Sequence, residues 1–126
     1  MVWLKDCPAS GEATVDLHGY SVDTALAVAD RVLKDAYRQG YSFVTFIHGA
    51  AEMQSNSQSL RTGRGSIKWA LRDLMSRSWR PYIRGRRHRG HKVTGASMTI
   101  ALQANPRPEA RVGLGEIPPA DYEPLR

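Results

Sequence analysis

Two side chains of this sequence stand where they could move protons: Asp16 and His18, in the run Val15-Asp16-Leu17-His18-Gly19. Apolar and polar positions alternate there, which predicts a short strand with Val15 and Leu17 on one face and Asp16 and His18 on the other. A carboxylate beside an imidazole can fix its tautomer and stabilise its cation, which is how a general acid or base is built. The plainer alternative is that Asp16 caps the local backbone and His18 packs at a sheet end. A second histidine, His48, is followed by Gly49 and closes the run from Tyr41 to Ile47. That run is β-branched and aromatic, as expected of a strand buried on both faces. A helix between the two strands would make them parallel through a right-handed crossover. Both His-Gly pairs would then reach the carboxyl edge of the sheet, the edge that ligands favour in open α/β sheets.

The elements that must position these residues follow from periodicity and punctuation. Ser21 is a suitable N-cap for a helix running to about Gln39, with Val22, Ala25, Leu26, Ala29, Leu33, Ala36 and Tyr37 as its apolar stripe. Asp30 with Lys34, and Arg31 with Asp35, read as surface pairs, and Gly40 stops the helix. Residues 50–61 read as a polar loop. Thr62-Gly63-Arg64-Gly65-Ser66 then opens a second helix to about Arg77, with Ile67, Leu71, Leu74 and Met75 facing the core. Arg64, Lys68 and Arg72 recur every four residues and form one cationic stripe. Each alone is a solvated charge; with the glycine turn before a helix N-terminus they resemble a phosphate track. Trp79 to Arg84 reads as a short strand, residues 85–90 as a basic loop, and Ser97 to Leu102 as a last strand. Residues 1–13 show no period and read as an arm. The tail from 103 to 126 holds five of the seven prolines and is expected to be disordered or draped over the domain.

Length and charge narrow the classes. A chain of 126 residues, 41% hydrophobic and 24% charged, has room for one domain and one core. No apolar run approaches a membrane span, and Asp6, Cys7 and Pro8 break the first apolar residues, so neither a membrane anchor nor a signal peptide is expected. The single cysteine, Cys7, fits a reducing, cytoplasmic setting. Between Arg61 and Lys92 eleven Lys/Arg face one acid, Asp73; that net +10, against +6 for the whole chain, leaves −4 elsewhere. One basic face on a mildly acidic protein points to a polyanion, nucleic acid first. His88 and His91 have no carboxylate near them in sequence, and no metal site is expected there.

Taken in order, V-D-L-H-G, helix, F-I-H-G, T-G-R-G, helix, basic segment and T-G-A-S-M-T-I-A-L closely resemble the small MutS-related (Smr) domain, over roughly Thr14 to Leu102. The resemblance implies a single two-layer α/β domain with a mixed sheet in the order β-α-β-α-β-β. Such a fold is similar to the C-terminal domain of bacterial translation initiation factor three. Family members bind nucleic acid, and several are nicking or RNA-cleaving endonucleases. Carried over by motif, the working residues are Asp16, His18 and His48, with Thr62, Gly63, Arg64 and Gly65. The family's H-G-K-G-T-G junction is split here: its lysine is missing and residues 50–61 intervene.

Two functions are therefore carried forward. The first is an endonuclease on RNA or DNA phosphodiesters. In it His18 is general base or acid oriented by Asp16, His48 is a second proton carrier, and Thr62 to Gly65 with Lys68 hold the phosphate. Attack by a ribose 2′-hydroxyl requires no cofactor; a magnesium ion enters only if water must be activated on DNA. The second is a binding module without chemistry, in which Arg61, Arg72, Arg84, Arg86, Arg87, Arg89 and Lys92 supply backbone contacts. A ribosome-associated factor overlaps both. The chain is expected to act as a monomer.

Overall fold

The structure, a computed structural model, describes residues 2–49, 66–84, 92–93 and 96–121. The chain runs β1 (Trp3–Cys7), β2 (Glu12–Asp16), α1 (Val22–Arg38), β3 (Phe43–Ile47), α2 (Ser66–Ser76), β4 (Lys92–Val93) and β5 (Ser97–Ala101). From β2 onward this is the expected β-α-β-α-β-β order. The strands form one mixed sheet in the order β1-β2-β3-β5-β4, in which β2 and β3 are parallel and every other pair is antiparallel.

Register explains the core. Ala13, Val44 and Ile100 align across β2, β3 and β5, as do Val15, Phe46 and Met98, and all six are buried. They join Ala25, Val28, Ala29, Val32, Leu33 and Ala36 of α1 and Ile67 and Leu71 of α2 in one cluster. The intervening row, Thr14, Thr45 and Thr99, lies on the other face, where Thr45 and Thr99 share a hydroxyl hydrogen bond of 2.8 Å. The run Tyr41 to Ile47 is therefore buried on one face and half-buried on the other, not buried on both. Its helices cover only one side, so its side chains alternate as in a two-layer fold.

Ser21 caps α1 as its position implies, its hydroxyl accepting from the Thr24 amide, and the helix ends one residue before the Gln39 cap. Two expectations are corrected. Residues 1–13 are not a free arm, because Trp3–Cys7 pairs residue for residue with β2. Trp79 to Arg84 is not a strand: the Tyr82 and Ile83 amides both donate back to the Trp79 carbonyl, and only Ile83 makes an isolated bridge, to Leu102. Pro81, lacking an N–H, sits within that turn. Trp79 is fully buried, stacks on Phe46 at 5.6 Å between ring centroids, and donates its indole N–H to Asp30. The α1 charges pair as expected, Arg31 with Asp35 and Lys34 with Asp30, and Arg31 also donates to the carbonyls of Leu114 and Glu116.

Those last bonds belong to a strap, which settles the tail in favour of draping for residues 103–121. The Asn105 amide donates to the carbonyls of Tyr37 and Arg38, Gln39 and Gly113 exchange two hydrogen bonds, and Leu114 is buried against the core. At the other end of α1, Asp121 accepts from the Ser21 amide and from the hydroxyls of Ser21 and Thr24. The segment thus follows α1 from its carboxyl to its amino end and pins the turn that leaves β2.

Candidate active site

β2 ends at Asp16, which is paired with Ile47, and the Leu17 amide adds one further bond to the Ile47 carbonyl at 2.8 Å. The parallel ladder therefore carries both strands to the same edge, and the chain turns there, the Tyr20 amide donating to the Leu17 carbonyl. His18-Gly19 and His48-Gly49 leave side by side, as the crossover argument requires. β3 is held from its other side too, since the amides of His48 and Gly49 both donate to the Ala96 carbonyl at the approach to β5.

Asp16 is 5% exposed and its Oδ1 accepts twice from His18, once from the backbone amide at 3.0 Å and once through ring Nδ1. The carboxylate therefore caps the turn and also contacts the imidazole. With Nδ1 donating to the carboxylate, Nε2 becomes the basic atom of the neutral ring. The His18 side chain keeps 36% of its surface open. His48 differs. It is 1% exposed, and its Nδ1 contacts the Gly49 carbonyl at 2.8 Å. The ring open to solvent in this pair is His18, whereas His48 is enclosed within the packed edge.

Gly49 is part of the geometry. Its φ is +86°, and a Cβ at this position would lie 3.3 Å from the His18 Cβ. A side chain here would strain the backbone and press the His18 Cβ to give way by a few tenths of an ångström. The His-Gly repeat in the sequence marked the position, but its role as a spacer depends on the β2–β3 register.

The remaining candidates divide. Lys68 and Arg72 both lie on α2, Arg72 exposed and Lys68 half-buried. Arg84 is not gathered with the histidines. Its Nε donates to the Leu102 carbonyl and its guanidinium lies 6.0 Å from the Phe43 ring. Phe43 opens β3, so Arg84 sits at the opposite sheet edge, about 15 Å from the site at ~3.3 Å of rise per strand residue. Lys92 pairs its backbone with Thr99 in β4. Arg61, Thr62, Gly63, Arg64, Gly65, Arg86, Arg87 and Arg89 lie outside the described residues, as do the 50–61 and 85–90 loops and His88 and His91. Among the described residues no three His, Cys, Asp or Glu side chains come together as metal ligands, and no helix is long and apolar enough to cross a membrane.

Two residues escaped sequence reasoning. Asp121 lies a hundred residues from the Ser21 it holds, with no local signal. Trp69 did carry one, an aromatic residue set between the cations Lys68 and Arg72 on a helix. The family model described as Smr domain matches residues 15–102. No curated protein and no solved structure matches the chain.

Proposed function

The chain belongs to the Smr domain family, and from that premise we propose that it binds nucleic acid and cleaves phosphodiester bonds, RNA before DNA. The observation carrying the reading is the Asp16–His18 contact: a buried carboxylate orients a half-open imidazole at the carboxyl edge of the sheet. In the reaction His18 Nε2 takes the proton of a ribose 2′-hydroxyl as that oxygen attacks the adjacent phosphorus. The bond from phosphorus to the 5′-oxygen breaks, leaving a 2′,3′-cyclic phosphate. The departing 5′-oxygen acquires a proton from the imidazolium or from solvent. Asp16 balances the imidazolium charge while it exists. The basic stretch from Arg61 to Lys92 supplies affinity and neutralises charge developing on the phosphate. No step is routed through a metal: among the described residues the site offers one carboxylate, and it contacts His18.

The test is cleavage of labelled single-stranded RNA and of supercoiled DNA, with EDTA or magnesium, by the wild type and His18→Ala. Loss of RNA cleavage in His18→Ala with binding retained, in either metal condition, is the expected result. Equal cleavage by the variant would remove His18 from the chemistry. No cleavage by either protein, with binding intact, would leave a binding module.

A further inference from the structure

α2 presents an aromatic ring to solvent that the proposed chemistry does not use. Trp69 lies two positions from each of Ile67 and Leu71, which are buried, so the helical period turns its ring to the opposite side, and it is 55% exposed. A single exposed apolar residue needs no explanation; its neighbours here are what distinguish it. Lys68 Nζ lies 5.8 Å and Arg72 Cζ 5.2 Å from the indole centroid. The acid of this helix, Asp73, is engaged by Arg77 at 2.9 Å, and among the described residues no carboxylate pairs with Lys68 or Arg72. The face therefore offers an exposed indole contacted by two cations that no carboxylate pairs with among the described residues. That combination suits a nucleotide whose base is free: the ring stacks on the base, and the cations meet the flanking phosphates. A duplex hides its base faces in the stack and offers the ring nothing.

Resting on the nucleic-acid reading above and naming its substrate class, we propose that Trp69, flanked by Lys68 and Arg72, is a stacking platform for an unpaired base. The chain then prefers single-stranded over double-stranded nucleic acid. Fluorescence anisotropy with labelled DNA strands tests this, because DNA lacks the 2′-hydroxyl and is not consumed by the proposed attack. Three probes are compared: a mixed-sequence single strand, its duplex, and an abasic strand of equal length. Trp69→Ala is expected to weaken single-strand binding about 5- to 150-fold while leaving the duplex and abasic strand within twofold of wild type. Trp69→Tyr should keep most of the affinity, and it preserves the test if the alanine variant folds poorly. Equal single-strand binding by wild type and Trp69→Ala overturns the platform, as does an equal loss on the abasic strand. A dimer that dissociates in Trp69→Ala, seen by sedimentation, would assign the face to self-association and overturn it too. Binding that ignores Trp69 refutes this inference alone, whereas a wild type that binds none of the probes refutes the nucleic-acid reading with it.

Discussion

Replacing Gly49 by alanine is the sharpest probe of the site's geometry, because Gly115 provides its control. Both glycines have positive φ, +86° and +76°, so alanine meets similar backbone strain at each, about 1–2 kcal/mol. A Cβ at Gly115 meets nothing within 4 Å, while at Gly49 it meets the His18 Cβ at 3.3 Å. Crowding in a packed site adds about 1–2 kcal/mol. Unfolding entropy of ~2.1 cal/mol/K per residue comes to about 0.26 kcal/mol/K for 126 residues, so 1 kcal/mol is worth about 4 °C in Tm. Gly115→Ala should therefore melt about 4–8 °C below wild type and Gly49→Ala about 8–15 °C below, by calorimetry at neutral pH. In the RNA cleavage assay Gly49→Ala should also lose rate, since a displaced His18 leaves its Asp16 partner, while Gly115→Ala should keep it. Equal melting temperatures for the two variants would refute the close approach of the β3 exit to His18, and with it the spacing on which the site rests.

Two further outcomes are expected. Burial, and then the hydrogen bond to Asp6, push the Tyr41 hydroxyl well above its ordinary value near 10. The folded protein then holds a proton that the unfolded chain releases, so stability is full below pH 10 and falls above it by about 1.4 kcal/mol per pH unit for this group. Urea midpoints between pH 8 and 11 should show that fall reduced in Tyr41→Phe; parallel curves would refute it. Changing Arg86, Arg87 and Arg89 together to glutamine should weaken nucleic-acid binding and flatten its salt dependence. If about four phosphates are contacted on a single strand, the wild-type slope of log K against log salt is about −3, and an unchanged slope in the triple variant would sink the basic-loop contact.

Much of the site was legible because its cues are local. The alternation around Asp16 and His18, the Ser21 cap and the His-Gly endings each depend on residues within a turn or a strand of one another. The parallel crossover follows from their order. The edge strand Trp3–Cys7 was not legible: Lys5 and Asp6 break the apolar pattern, because an edge strand needs a partner's backbone more than a buried face. The basic stretch was legible as charge but not as placement. Arg84 belongs with Phe43 and Leu102, at the edge away from the histidines, since a turn rather than a strand carries it there.

The sequence by itself determined β2, α1, β3, α2 and β5, the carboxylate–imidazole pair and the polyanion bias, all properties of residue type and near spacing. Tertiary structure alone decided which histidine faces solvent, that a Cβ at Gly49 would crowd His18, that Trp79 fills the core while Trp69 stands outside it, and that Asp121 closes over the start of α1. The physical reason is the same in each case. Burial, close approach and long-range hydrogen bonds are set by what the folded chain brings against a residue, and nothing in its immediate neighbours specifies that partner.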